Sequence, residues 1–406
     1  MECLRILVNE LEIARVFNTE QNKDFQKPFA IGETTMVKLP QRFLIRDGMA
    51  FQDQGIARKS VPVTMQTPFG IDFAWDSFEA ALKAERSEEE ISANYLKPAM
   101  AQLAQEIDSR CALFAYQNTN NIAGVLGTTP TTMATYSRAR TLLRENACPW
   151  TGVDRCMAVS PQMEESAVAA NLAAFNPPSE ISKEFREGEI GTYAGSTWYE
   201  TMSLYDHVAG TLAGTVTVTG AGQSGSAISI TSTTVGDTLK KGDVIGFDYT
   251  LSTQVNNANP STRRSTGRVK YFVVTQDVTF TAGPDTVNIS PAIEGPGSQY
   301  QNVDSLFGNN ATVTLFPGTT SPNGKHGING LNFTRDAFAL VSAPLEMPTA
   351  VEPMSFMKRD PKTGIAIRFI SAWDQNLSRV TRRFDVMIGL GALYPDNCSV
   401  RILSLQ

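Results

Sequence analysis

Apolar positions recur at Leu4, Leu7, Leu11, Ala14 and Phe17, a spacing of three and four that predicts one helix over 2–18 with a single buried stripe. From 30 to 75 the period shortens to that of strands. The runs TMVKLP, RFLIRDG, ARKSVPVTMQ and FGIDFAW are split by Gly, Pro and Asp-Gly turn signals. This predicts a long two-stranded excursion, and because a lone hairpin is marginal in water it also predicts a covering partner surface, such as another chain. Ser87 and Glu90 then form a capping box. Beyond it Ile91, Tyr95, Ala99, Leu103, Ile107, Cys111 and Phe114 keep one side of a helix apolar over roughly 42 Å. Pro98 interrupts the run, so the pattern predicts either a kink or a short helix ending near Leu96 and a second with Pro98 in its first turn.

Helical spacing returns at 133–145 and 161–174, with a short buried strand at 158–160 between them, and together these predict a mixed helix and strand body. At residue 211 the composition shifts to Thr, Ser, Gly and Val, and strand signals recur about every ten residues as far as 317, the spacing of a small barrel or sandwich. After PGTTSPNGKHGING the mixed pattern resumes, with a helix predicted around FTRDAFALVSAPL and strands in TGIAIRFISAWD, RRFDVMIGLGAL and CSVRILSL. A β-rich block flanked on both sides by mixed pattern reads as an insertion into one domain.

Composition narrows the function. With 406 residues, 42% hydrophobic and 19% charged, the chain can bury a large core, which excludes wholesale disorder. Lys and Arg total 35 against 41 Asp and Glu, a net charge of -6 that argues against a general grip on nucleic acid. No apolar run approaches the roughly 20 residues that cross a bilayer, so no membrane partner is expected. Glu2, Glu10 and Glu12 interrupt the start in a way a secretory signal would not, and the N-terminus reads as mature cytoplasmic sequence. Five cysteines, at 3, 111, 148, 156 and 398, make neither a disulfide framework nor a zinc pattern. His207 and His326 are the only histidines, too few for most His-based catalysis, and no cofactor, metal or catalytic residue is expected.

Candidate chemistry is weak at each place it is visible. Gly220, Gly222 and Gly225 spell G-x-G-x-x-G after TVTVT, but AISITSTTV beyond them is a strand rather than the helix a dinucleotide would need, so a hairpin turn is the better reading. Ser203, Asp206 and His207 are the residue types of a hydrolytic relay, yet sequence neighbours rarely converge and no G-x-S-x-G elbow exists. Cys148 and Cys156 flank PWTGVDR without a predicted base and read as buried structural thiols. Glu85, Glu88, Glu89 and Glu90 suit the first turn of a helix better than a cation site. Asn288, Asn310, Asn332, Asn376 and Asn397 head glycosylation sequons that are read as composition. Arg263, Arg264, Arg268 and Lys270 form a basic loop that reads equally as solvated or as a contact with an acidic partner.

Several stretches together resemble the major capsid proteins of the HK97 fold, and in particular the coat proteins of P-twenty-two-like short-tailed phages. RFLIRDGMAF with SVPVTMQTPFGIDFAW looks like that family's extended loop, and NYLKPAMAQLAQEID like its spine helix. FREGEIGTYAGSTWYE with HVAGT looks like the entry to its insertion, and KKGDVIGFDY, VNNANPSTRRSTGRVKYFVVTQDV and VNISPAI like the insertion itself. IRFISAWD and RRFDVMIGLGALYPDNCSVRI resemble the closing strands, so the likeness runs nearly end to end.

The resemblance implies an α+β fold. Its parts would be an N-terminal arm over 1–29, an extended loop over 30–75, a spine helix and P-domain over 76–125, the first part of an A-domain over 126–210, an inserted all-β barrel over 211–320, and the A-domain remainder with closing P-domain strands over 321–406. It implies a non-enzymatic major capsid protein that builds pentamers and hexamers into an icosahedral shell around double-stranded DNA, without sequence-specific binding. Scaffolding and portal proteins are the implied partners, a decoration protein is left open, and assembly is placed in the host cytoplasm before the protein resides in the virion. Arg46 and Asp47 are the implied cross-subunit contacts of the extended loop; Arg263, Arg264 and Arg268 those of a loop reaching a neighbouring capsomer. A net negative wall suits a container that must release its genome. Two other classes remain: a surface adhesin or carbohydrate-binding module using the Thr-rich β-domain, and a hydrolase using Ser203, Asp206 and His207.

Overall fold

The computed structural model describes residues 2–23, 32–46, 48–51, 53–55, 59–76, 95–149, 155–174, 192–193, 195–247, 254–316, 325–347, 355–361, 363–374, 376 and 379–404. They form two compact units, one made of Met1–Leu39, Lys59–Ala112 and Phe338–Leu393, the other of Pro40–Arg58, Leu113–Ala337 and Tyr394–Gln406.

In the first unit the N-terminal helix is Glu2–Glu10, half the predicted length. Leu7, Leu11, Ala14 and Phe17 are all buried, so the apolar stripe is real although the helix is not continuous. A tertiary competitor explains the stop. The buried carboxylate of Asp108 accepts the Glu12 N–H at 2.8 Å and the Ala14 N–H at 2.7 Å, taking donors that a continuing helix would have used within itself. Burial pushes the Asp108 carboxyl up to about 6, against the opposing pull of those backbone donors.

Strands Thr34–Lys38 and Ser60–Met65 form the predicted hairpin, with Thr34 opposite Thr64 and Lys38 opposite Ser60. They do not stand alone. Ser60–Met65 also pairs with Ile388–Ala392, which pairs with Phe338–Ser342, and the four make one antiparallel sheet. Phe69–Asp76 leaves for a second four-stranded sheet in the order Phe356–Arg359, Ala366–Asp374, Arg379–Val386, Phe69–Asp76. The covering surface expected from another chain is therefore supplied, for these strands, by the C-terminal third of the same one. Gly391 shows how close the packing is: a Cβ there would lie 2.5 Å from a Val63 methyl.

The long helix is Lys97–Asn118, which places Pro98 in its first turn, where the missing N–H costs nothing. The capping box at Ser87 and Glu90 and the acidic cluster from Glu85 to Glu90 lie outside the described residues.

In the second unit a mixed six-stranded sheet runs in the order Ile122–Gly124, Ser399–Leu403, Gly330–Thr334, Arg155–Val159, Ser196–Glu200, Thr192–Tyr193. Helices Met133–Glu145 and Pro161–Ala174 match the predicted spacing. The helix predicted in FTRDAFALVSAPL is instead a strand ending at Thr334, a short turn of 3-10 helix at Arg335–Ala337, and the strand Phe338–Ser342. Every residue of Phe338–Ser342 is buried, and a short continuous apolar run of that kind carries no period by which to tell strand from helix.

The β-rich block forms an antiparallel sheet in the order Val313–Leu315, Val244–Phe247, Phe272–Val274, Asp285–Ile293, Gly225–Ser232, Val216–Val218. Its two edges meet through Val218 N–H to Ala311 O at 2.9 Å and Asn310 N–H to Val218 O at 3.0 Å. The expected barrel is thus a nearly closed sheet, joined at residues 310–312 ahead of the last strand rather than along it. Val218, Ile230, Phe247, Phe272 and Val287 fill its interior, with the Phe247 and Phe272 ring centroids 5.6 Å apart.

Candidate functional site

The segment between the two hairpin strands, Pro40–Arg58, belongs to the second unit, and its described residues form no ladder of their own. Side-chain amides hold it instead. The Leu44 N–H donates to Gln54 Oε1 at 2.7 Å while Gln54 Nε2 donates back to Leu44 O at 2.6 Å, and Arg46 Nη1 donates to Ala50 O at 2.7 Å. This holds a turn whose outward side chains are apolar: Phe43 is 67% exposed, Ile45 91%, Met49 99% and Phe51 86%. At roughly 25 cal/mol per Å² such exposure opposes solubility and favours a covering partner. Arg46 is exposed and bonded within its own turn, whereas Asp47 lies outside the described residues.

Beside this turn sits the loop 259–264, organised by one side chain. Asn259 Oδ1 accepts the N–H groups of Ser261 at 2.9 Å and Thr262 at 3.1 Å, and its Nδ2 donates to Glu145 O at 2.7 Å. Arg263 is held at φ +57°, an uncommon conformation for a residue with a Cβ, and its Nη2 donates to Phe43 O at 2.9 Å and Gln299 O at 3.3 Å. Gln299 Nε2 in turn reaches Gly55 O at 3.0 Å. The structure therefore brings Arg263 to the 40–55 turn of its own chain. Arg264 is exposed, and Arg268 pairs with Glu145 at 3.1 Å.

Beneath the loop lies a buried polar ladder that the sequence reading missed. Lys270 Nζ donates to Asp396 Oδ1 at 2.5 Å and Asn257 Oδ1 at 3.0 Å; Asn257 Nδ2 continues to Asn146 Oδ1 at 2.8 Å, and Asn146 Nδ2 to Asn121 Oδ1 at 3.1 Å. Asn121 Nδ2 closes it on Ser399 O at 3.0 Å. The available signal was the pairing of asparagines in NTNNI and VNNANP, too polar for strand interiors unless they bond to one another.

The remaining chemistry resolves into structure. His207 Nε2 is 2.8 Å from Asp243 Oδ1, buried against the Tyr116 ring, so its partner is Asp243 and not Asp206. Gly220, Gly222 and Gly225 all have positive φ in the turn entering Gly225–Ser232. Cys148 and Cys156 are buried; burial pushes the Cys156 thiol up, and Cys148 accepts a hydrogen bond from Cys398 that favours its thiolate. Among the described residues no His, Cys, Asp and Glu group could hold a metal ion, and no helix is long and apolar enough to cross a membrane.

Among curated proteins none matches the chain. Solved structures similar to it include one from Mycobacterium phage Che8, 12% identical with a TM-score of 0.48, covering 97% of this chain and 90% of that one. The capsid of cyanophage P-SCSP1u is 11% identical with a TM-score of 0.44, over 94% and 86%, and a virus-like particle from Pyrococcus furiosus is 9% identical with a TM-score of 0.37, over 99% and 98%. The family model described as P22 coat protein, gene protein 5, matches residues 47–403. The chain accordingly belongs to the P22 coat protein family and is a major capsid protein, a shell-forming coat protein of a bacteriophage.

Proposed function

We propose that the chain closes into an icosahedral head of pentamers and hexamers with an HK97-type subunit and an inserted β-barrel, enclosing double-stranded DNA without reading its sequence. Scaffolding and portal proteins would direct assembly in the host cytoplasm. The observation that carries this is the turn 43–51: four large apolar side chains are held outward by a clamp of side-chain amides, an arrangement that makes sense when another copy covers them. Arg46 with Asp47 would make charged contacts across that interface, and Arg264, exposed on the loop beside it, would serve a second one together with Arg268, half-buried in the strand Ser265–Val269 against Glu145. Many modest contacts repeated by symmetry suffice for a closed shell.

Negative-stain electron microscopy of the protein co-expressed with its scaffolding protein should show closed particles. The double variant Ile45→Ser, Met49→Ser removes apolar surface that is almost wholly exposed in the subunit, so it should melt like the wild type and yield no closed particles. Wild-type yields of shells from that variant would remove the turn from the assembly interface.

A further inference from the structure

An open cleft of about 300 Å³ lies between the 40–55 turn and the loop 259–264, lined by Arg42, Phe43, Ala147, Ser261, Arg263 and Asn397. Two of its walls are in strained backbone: Ala147 and Arg263 both have φ +57°, leaving Asn310 as the other non-glycine residue with positive φ among the described residues. Such conformations are unfavourable for a residue with a Cβ and persist where the surroundings impose them. Here the surroundings are visible. Asn259 fixes the loop carrying Arg263, and the end of helix Met133–Glu145 fixes Ala147 through its N–H to Arg144 O at 3.1 Å.

Two arginines, Arg42 and Arg263, line this cleft. Arg263 spends Nη2 on Phe43 O and Gln299 O, which leaves Nε and Nη1 without an acceptor among the described residues. Arg42 sits with its Cζ 5.9 Å from the Tyr300 ring centroid, and within the described residues it too has no carboxylate partner. The negative end of helix Met133–Glu145 does not offset them. Its last carbonyls are already occupied, Leu142 O by Asn146 N–H, Leu143 O by Cys148 N–H, Arg144 O by Ala147 N–H and Glu145 O by Asn259 Nδ2. The cleft is therefore lined by two cations, and Arg263 keeps Nε and Nη1 as single donors, a setting that attracts an anion such as a carboxylate.

We infer that the cleft is an anion site that takes the carboxylate of an Asp or Glu side chain from a second copy of this chain, an inference that rests on the shell-forming reading above. Identical copies carry an excess of acidic groups, 41 against 35 basic, so an acidic side chain is the commonest charged group a neighbour presents. Phe43, 67% exposed, forms the cleft's lip and belongs to the same apolar surface that a neighbour would cover, so the carboxylate would be partly desolvated on docking and its pairing strengthened. A nucleic-acid backbone is a poorer fit, since two cations on a chain of net charge -6 give little counterion release.

The test uses Arg42→Lys, which keeps the cation and supplies a primary amine. Shells are assembled from a mixture of ordinary and nitrogen-15-labelled variant chains, treated with a zero-length carbodiimide, digested and examined by mass spectrometry. The expected result is an amide link from the introduced amine to an Asp or Glu peptide in which one half is light and the other heavy, at least tenfold more abundant in shells than in unassembled protein. Shells in which that amine is unlinked, linked only within one copy, or linked to a different protein would overturn the inference. Should Arg42→Lys fail to assemble, the wild type decides: phenylglyoxal modification of Arg42 should be at least tenfold slower in shells than in unassembled subunits, and equal rates would overturn it. Wild-type protein that never forms particles would instead bring down the shell-forming reading, a failure visible before any cross-linking is done.

Discussion

Lys270 Nζ lies 2.5 Å from Asp396 Oδ1, with the lysine side chain 2% exposed and the aspartate 15%. The pair joins the segment leading into strand Phe272–Val274 to the short helix Pro395–Cys398, and it heads the ladder through Asn257, Asn146 and Asn121. Removing one partner of a buried pair leaves a charge uncompensated, which typically costs about 3–5 kcal/mol. Lys270→Met should therefore lower the urea midpoint strongly, with Lys270→Arg milder. A Lys270→Met protein within about 1 kcal/mol of wild type would mean that the ladder, and not the ion pair, supplies the hold.

Asp108 gives a pH dependence of defined sign. Its carboxyl titrates at about 6 in the folded protein against 3.8 for the free group, so between those values the folded state binds more protons than the unfolded one. The charged form is thus a cost at neutral pH that is relieved as pH falls from about 7 toward 4, by up to about 3 kcal/mol. Urea titrations at pH 7 and pH 5 should show this gain in the wild type and not in Asp108→Asn. Equal pH responses in the two proteins would assign the raised carboxyl no role in stability.

Gly70 pairs with Asp385 in the strand Phe69–Asp76, and a Cβ there would collide with the backbone oxygen of Phe384. Neither strand can retreat without breaking its ladder. Gly70→Ala should cost about 3 kcal/mol or more and lower soluble yield at 37 °C. Thermal melting of the purified variant checks this, and an unchanged melting temperature would show that the two strands are not in this register.

Asn259 separates loop geometry from global stability. Asn259→Ala removes three hydrogen bonds at the edge of the second unit, about 1–2 kcal/mol in total if partly replaced by water, while releasing the backbone that holds Arg263. The variant should fold, with circular dichroism like that of the wild type, and form particles with lower yield or broader size distribution by sedimentation. Normal particles would show that the loop needs no fixed shape.

The sequence carried most of the local structure. Apolar spacing located the helices at 133–145 and 161–174, and Pro98 marked where the long helix begins, because period and proline chemistry act within a few residues of one another. The same period misled at the N-terminus, where the stripe through Phe17 is buried as predicted but the backbone of Glu12 and Ala14 turns to a carboxylate about a hundred positions away. It had nothing to say about FALVS, which is buried on both faces and so has no period. Of the candidate site, the sequence named Arg46, Arg263, Arg264 and Arg268 as a chemical type on loops, and it passed over Asn259, Asn257 and Asn146, each of which has at least one partner more than a hundred residues away in the chain.

By itself, then, the order of amino acids determined the helices at 133–145 and 161–174, the acidic balance, the scarcity of catalytic groups, and the family to which the chain belongs. Tertiary structure alone decided that the strands near 60 and 70 are covered by strands near 390 and 380, that His207 answers to Asp243, and that Arg42 and Arg263 share one cleft. The division has a physical basis. Propensity, capping and period are set by neighbours along the chain, whereas the pairing of a buried charge or the lining of a cleft depends on which distant segments the packed core brings together.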